Sequence, residues 1–131
     1  MLDVKKWMVK VLGALVPEET AFSITKSSGA LSLDNNNTHF YKVGNVVYAH
    51  IRCTGTGNTA SGTNYYVGQL NTANLCPLYS AYLAGFVGGH SVVANIDSSG
   101  VITIRNASSS AYNPSGGAVA VGGSYIVGGN T

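Results

Sequence analysis

The sequence predicts a mainly β protein, in which a short N-terminal α-helix precedes an antiparallel β-barrel or sandwich of the jelly-roll type. Apolar residues at helical spacing occur only before Pro17, and short β-prone runs separated by Gly, Asn and Ser follow it. The 131 residues suit one domain with a small appendage. We therefore divide the chain into a helical segment, residues 1–17, and a β-domain, residues 18–131.

The N-terminal segment has the apolar spacing of a short coiled coil. Its apolar residues follow a 3-4-3-4 spacing, which places them on one stripe of a helix: Met1, Val4, Met8, Val11 and Leu15. Pro17 ends the helix, because the residue before a proline is disfavoured in the α region. A helix this short is marginal alone in water, so we expect an oligomerisation stalk held together through Val4, Met8, Val11 and Leu15. The alternative is an amphipathic helix packed on its own domain.

The β-domain is expected to contain short strands bounded by turn residues. The predicted strands are residues 22–26, 38–43, 46–53, 65–70, 78–87, 90–96, 101–105, 119–121 and 124–127. In the most regular of them, 46–53, one face is formed by Val47, Ala49, Ile51 and Cys53. The run Asp97-Ser98-Ser99-Gly100 predicts a hairpin turn in which the Asp side chain bonds its own backbone.

The register of this last hairpin decides which side chains lie together. If Ile96 pairs with Val101, then His90 and Arg105 share one face, while Val93, Asn95, Ile102 and Ile104 share the other. A slip of one residue would exchange the faces. Both faces are largely apolar, so we expect one of them to be buried by another subunit.

The low charge of the chain excludes several classes of function. The net charge is only +2 and 9 % of the residues are charged, which argues against a nucleic-acid-binding protein. Between residues 43 and 131 the charged residues are Arg52, Asp97 and Arg105. A monomer normally has more surface charge, so we expect much surface to be buried in an assembly. The alternative is a monomer solvated by neutral polar groups.

The short apolar runs and the cysteine usage indicate a protein made in a reducing cytoplasm. We expect neither export nor membrane insertion, since no apolar run is long enough for either. Cys53 and Cys76 show no metal-ligand spacing and are expected to be small buried residues.

Catalytic residues are scarce. After residue 19 the only acids are Asp34 and Asp97, and His39, His50 and His90 are scattered without metal-ligand spacing. A glycosidase needs paired carboxylates, and neither a Gly-x-Ser-x-Gly elbow nor a phosphate-binding loop is present. We therefore expect no enzyme, no metal and no cofactor.

Binding suits the composition better. The chain has eight tyrosines, whose rings offer a flat apolar face with a hydroxyl at low entropic cost, and its Asn, Ser and Thr side chains suit sugar hydroxyls. The best candidates are His90, Arg105 and Tyr112. Arg105 can bind a phosphate or carboxylate on a sugar through two hydrogen bonds. The alternatives are tyrosines half-buried in the sheet and a salt bridge between Arg105 and Asp97.

The C-terminal part of the chain resembles a known family. The motifs, in order, are Cys76-Pro77, Leu83-x-Gly85, Val87-Gly88-Gly89, Ser98-Ser99-Gly100-Val101, Ala107-Ser108-Ser109, Pro114, Gly117 and Gly123-Ser124-Tyr125. Together they are similar to the head domain of receptor-binding proteins from lactococcal siphophage baseplates. That family forms trimers with an N-terminal helical shoulder and a β-barrel head that binds host-wall saccharide.

The resemblance implies a role and, by position, two site residues. His90 lies where a family member has Trp, after Val87-Gly88-Gly89, and Val93 and Asn95 lie where it has a His and an acid. It implies a homotrimeric phage or prophage tail-tip protein in the virion, assembled in the host cytoplasm. Its partners would be a bacterial cell-wall saccharide and other tail or baseplate proteins. The alternatives are a structural virion component without a ligand and a small envelope hydrolase.

Overall fold

The computed structural model describes residues 19–27, 29, 31–55, 59–87, 89–111 and 118–128. The stalk residues Val4, Met8, Val11 and Leu15 lie outside the described residues, as does Tyr112. The helical stalk, the division at residue 17 and the role of Tyr112 therefore stay predictions.

The described chain is one antiparallel sheet. Its strands are β1 Ile24–Lys26, β2 Leu31–Leu33, β3 His39–Val43, β4 Val46–Gly55, β5 Asn64–Leu70, β6 Ala81–Val87, β7 His90–Ile96, β8 Val101–Asn106 and β9 Ala118–Ile126. Their order is β1-β5-β8-β7-β6-β9-β4-β2, and β3 also pairs with β4. Short 3-10 turns occupy Asn35–Asn37 and Ala73–Leu75, and no α-helix occurs in this part of the chain. In the described ranges, no helix has the length and hydropathy to cross a membrane.

The sheet curls into a nearly closed barrel, as the sequence predicts. Strand β2 packs against β5. Leu33 of β2 lies so close to Gly68 of β5 that a Cβ at Gly68 would come within 2.4 Å of Leu33 Cδ1. Ser27, which follows β1, also bonds to β2: its Oγ donates to the carbonyl of Leu31 at 2.7 Å, and Ser32 Oγ donates to the carbonyl of Ser27 at 2.8 Å. The two ends of the strand order are thereby brought together.

Side chains at every second position of the strands point inward and fill the interior of the barrel. On β4 the inward residues Val47, Ala49, Ile51 and Cys53 are all buried, as the sequence predicts, and the residues between them are exposed or half-buried. The core also contains Phe40 and the inward residues of the neighbouring strands: Leu83, Val92, Ala94, Ile96, Ile102, Ile104, Val119, Val121 and Tyr125. One face of the sheet therefore lines the core and the other faces outward.

The predicted turn between β7 and β8 is confirmed. Gly100 N donates to the carbonyl of Asp97 at 2.9 Å, and the Asp97 carboxylate accepts from the amides of Ser99 at 2.9 Å and Val101 at 3.0 Å. Gly100 has a φ of +88°, the left-handed conformation that closes a type I turn with a bulge.

The expected pairing of Ile96 with Val101 is wrong by one residue. Ile96 lies opposite Ile102, and Val93 lies opposite Arg105, because the bulge at Gly100 adds one residue to the turn. The inner face of this hairpin therefore comprises Val92, Ala94, Ile96, Ile102 and Ile104. Arg105 belongs to the opposite, outer face, so it does not share a face with His90.

Two other strand predictions need correction. Strand β2 was not predicted, because three residues are too few to show an alternating pattern. The predicted strands 119–121 and 124–127 are one strand, β9. The glycines between them are sheet residues: a Cβ on Gly123 would lie 2.9 Å from Leu83 Cδ2, so glycine leaves room for that buried side chain.

Candidate ligand-binding cleft

A cleft of about 340 Å³ lies on the outer face of the sheet. Its lining residues come from four strands and the segment before β6: Asn64, Ser80, Tyr82, Val93, Asn95 and Arg105. Two residues expected from the sequence to bind ligand, Asn95 and Arg105, are therefore brought together. Asn64, Ser80 and Tyr82 were not singled out in the sequence, since no local motif marks them and only the strand register shows their proximity.

The register arranges the cleft in two neighbouring cross-strand rows. In one row Tyr82 lies opposite Asn95, Asn95 opposite Thr103, and Thr103 opposite Tyr66. In the other row the order is Ala84, Val93, Arg105 and Asn64. Directly opposed side chains have Cβ atoms roughly 5 Å apart, so each row is a continuous strip of side chains across four strands.

Among the described residues, Arg105 is the only charged one that lines the cleft. Its side chain forms no ion pair with a described residue: the ion pair found in that part of the chain joins His39 and Glu19. The salt bridge with Asp97 that the sequence left open is absent there: Arg105 lies opposite Val93, four residues before Asp97, and Asp97 Oδ1 accepts the two amides of its own turn. The Arg105 guanidinium is therefore available to an anion or a carbonyl in the cleft.

The rest of the lining is neutral. Tyr82 is 70 % exposed, so one ring face is open to a ligand. Asn64, Asn95 and Ser80 add amide and hydroxyl groups that both donate and accept hydrogen bonds. An exposed ring beside neutral polar groups suits a polyhydroxylated ligand, which has apolar C–H faces and many hydroxyls.

His90 lies in a different environment. It is the first residue of β7, and its Nδ1 lies 2.9 Å from Ser108 Oγ. Asn106 fixes the same loop, because its amide donates to the carbonyls of Thr59 and Ser110, each at 3.0 Å. Asn106 is 2 % exposed. The contacts of His90 are those of a residue that orders the loop after β8, and His90 does not line the cleft.

The two cysteines are free thiols. Burial raises the pKa of Cys53 to about 12 and also raises the pKa of Cys76. Cys76 borders a second, smaller cavity of about 280 Å³ between β5 and the β7–β8 turn. Burial thus favours the neutral thiol at both positions, and this form is less nucleophilic than the thiolate. In the described residues no His, Cys, Asp or Glu cluster could hold a metal ion.

Comparison with solved structures shows a similar fold in the head domain of lactococcal phage bIL170. The two chains superpose with a TM-score of 0.56 at 16 % identity, covering 86 % of this chain and 99 % of the other. The fold of the described chain resembles that of this head domain. The resemblance expected from the sequence is thereby confirmed for the fold. No family model and no curated protein matches the chain.

Proposed function

We propose that this protein is the receptor-binding head of a phage or prophage tail tip and attaches, without catalysis, to a saccharide on the bacterial surface. The observation that supports this most directly is the outer-face cleft, in which one arginine without a described ion-pair partner lies among an exposed tyrosine and neutral amides. The head-domain fold supports the same role.

Each lining group has a distinct part in binding. The Tyr82 ring packs against the C–H face of a sugar ring, while Asn64, Asn95 and Ser80 exchange hydrogen bonds with its hydroxyls. Arg105 donates two parallel hydrogen bonds to a carboxylate or phosphate on the saccharide. Binding is non-covalent, and no proton transfer is required of the protein.

A single open cleft of this kind binds weakly, so assembly matters. We propose that three copies join through the N-terminal segment and that the trimer belongs to a virion tail tip, assembled in the host cytoplasm and held by other tail or baseplate proteins. Simultaneous use of three sites raises the effective affinity without any new contact.

Retention on bacterial envelopes tests the proposal. The full-length protein is incubated with a panel of purified envelopes, and bound protein is measured after sedimentation, with polysaccharide released from the same envelope as competitor. Arg105→Ala and Asn95→Ala should lower retention. Arg52→Ala is the matched control, because Arg52 lies on the outer face of β4 and outside the cleft.

The possible outcomes separate the candidate functions. Competition by the free polysaccharide together with loss in the two cleft variants supports adhesion through this cleft. Retention that is equal in Arg105→Ala and Arg52→Ala removes the cleft from the proposal. No retention on any envelope favours a structural virion component, and release of shortened polysaccharide would indicate a hydrolase.

A further inference from the structure

The turn before β5 lies against the guanidinium of Arg105. The amide of Thr63 donates to the carbonyl of Ala60 at 3.3 Å and closes this turn, residues 60–63. A Cβ on Gly62 would lie 3.7 Å from Arg105 Nη2, and beyond its neighbours in the chain no other described atom lies within 4 Å of that position. Gly62 and Arg105 are both exposed. A side chain at position 62 would therefore have the guanidinium as its immediate neighbour.

Hydrogen bonds to β8 hold the turn in this place. The amide of Gly62 donates at 2.7 Å to the carbonyl of Asn106, the residue directly after Arg105. The Asn106 side chain is buried, and its amide donates to the carbonyl of Thr59 at 3.0 Å. None of these bonds involves a ligand, so Gly62 and Arg105 are adjacent in the empty cleft.

The backbone at Gly62 limits which side chains could replace it. Its φ is +71°, in the left-handed region, where Asn and Asp are the best tolerated residues after glycine. An Asp there would bring a carboxylate to the guanidinium, and the two would form charge-assisted hydrogen bonds. An Asn would have nearly the same shape without the charge. Glycine contributes neither, so the charge of Arg105 stays available to a ligand.

We propose that Gly62 is a specificity-determining residue of the cleft. Because it places no carboxylate beside Arg105, the cleft selects an anionic saccharide over a neutral one. The inference rests on the proposed function and adds to it a residue that does not itself line the cleft. The other lining residues are neutral, so this selectivity depends on a single positive charge, which a carboxylate at position 62 would cancel.

Only a carboxylate in direct contact should have this effect, because water and salt screen exposed charges that lie farther apart. Gly44 offers a matched control position. It lies in the turn between β3 and β4, has a φ of +58°, and a Cβ there would meet no described atom within 4 Å. Gly44→Asp therefore adds the same charge and a similar backbone requirement without reaching Arg105.

The test compares Gly62→Asp with Gly62→Asn. Retention of the full-length protein is measured on the envelope that retains most wild-type protein, at increasing salt, and circular dichroism with thermal melting verifies that each variant is folded. Gly62→Asp should lower the apparent affinity at least about tenfold, because hydrogen bonds from Arg105 to the ligand are lost. Gly62→Asn should lower it much less, and Gly44→Asp should leave it unchanged. Added salt should weaken the wild type more than Gly62→Asp.

A double variant shows whether the introduced carboxylate acts through Arg105. Gly62→Asp/Arg105→Ala should bind as Arg105→Ala does, because no guanidinium remains to be neutralised. The pKa of the introduced carboxyl, followed by NMR, gives a measure that needs no ligand. This pKa should lie below its usual range in Gly62→Asp and rise in the double variant.

Three results would overturn the inference alone while the wild type is still retained. They are equal losses in Gly62→Asp and Gly62→Asn, a double variant that binds more weakly than Arg105→Ala, and a carboxyl pKa that Arg105→Ala does not change. The first would show an effect of bulk, and the other two would show that the carboxylate does not act on Arg105. If no envelope retains the wild-type protein, the proposed function fails and the selectivity fails with it.

Discussion

Arg105 lies directly opposite Val93 on the neighbouring strand. This pairing places the guanidinium on the outer face of the sheet, in the row next to Asn95 and Tyr82, and all of these residues line the same cleft. The flanking residues Ile104 and Asn106 are buried. The chemistry of the cleft is therefore set by the register of one hairpin, which depends on the bulge at Gly100.

Replacing the Tyr82 ring should weaken binding more than removing its hydroxyl. Tyr82→Ala removes the exposed ring, with an expected loss of about 1 kcal/mol, or roughly fivefold in affinity. Tyr82→Phe keeps the ring and should retain most of the binding. The binding of both variants is measured as retention on the envelope that retains most wild-type protein. Tyr79→Ala is the control, because Tyr79 is 79 % exposed and does not line the cleft. Equal losses in Tyr82→Ala and Tyr79→Ala would contradict a specific role for Tyr82.

His90→Ala should affect stability more than binding. The substitution removes the contact with Ser108 Oγ and loosens the loop that Asn106 holds, at an expected cost of about 1–2 kcal/mol. Asn95→Ala should show the opposite pattern, with little change in stability and lower retention. Urea unfolding and envelope retention are measured on the same preparations. A His90→Ala variant of normal stability that no longer binds would place His90 in the site after all.

Gly85→Ala should destabilise the barrel strongly. A Cβ at this position would lie 2.0 Å from the carbonyl oxygen of Ala120, which belongs to the backbone of β9 and cannot move alone. The expected loss is about 2–3 kcal/mol or more. Gly122→Ala is the matched control, because Gly122 pairs with Ala84 and its nearest contact would be an ordinary 3.6 Å. Thermal melting of the two variants tests this prediction. Similar melting midpoints for Gly85→Ala and Gly122→Ala would disprove the close approach of β6 and β9.

Asp97→Ala should weaken the β7–β8 turn. The carboxylate accepts the amides of Ser99 and Val101, and losing both bonds should cost about 1–2 kcal/mol. Asp97→Asn keeps an acceptor oxygen and should cost much less. Urea unfolding measures the free energy of unfolding of both variants. Because Arg105 lies on β8, the Ala variant should also lower retention, whereas unchanged stability in Asp97→Ala would show that the turn is held by Gly100 alone.

The raised pKa of Cys53 should appear in both reactivity and alkaline stability. Burial raises it from 9.0 to about 12, so the native thiol should resist alkylation at pH 8 and react fully only after denaturation. A pKa that is higher in the folded than in the unfolded state stabilises the fold below pH 9, and this contribution is lost as the pH rises from 9 towards 12. Cys53→Ala should make the stability less dependent on pH in that window. Rapid alkylation of native Cys53 would contradict the prediction.

The alternating strands could be predicted from the sequence because each has a self-contained pattern. In β4 the buried residues Val47, Ala49, Ile51 and Cys53 recur at every second position, which only a half-buried strand explains. Strand β2 has three residues and β9 has two glycines in its middle, so neither shows such a pattern. Their strand conformation depends on partners that are distant in the sequence, namely β4 for β2, and β4 and β6 for β9.

The candidate site was harder to predict than the fold. Asn95 and Arg105 could be named from their residue types and positions, but their shared face could not, because one extra residue in the turn reverses the alternation. Tyr82 and Asn64 lie 18 positions apart in the sequence. They meet only because β6, β7, β8 and β5 are consecutive in the sheet.

The alternation along β7 and β8 also bears on how such a protein could change its target. Each outward residue that lines the cleft is flanked by inward residues that fill the core, as Asn95 is flanked by Ala94 and Ile96. Under the proposed function, a single codon change at an outward position changes the groups offered to the ligand and leaves the core side chains in place. A viral adhesin built in this way could acquire a new host by point mutation, without passing through an unstable intermediate.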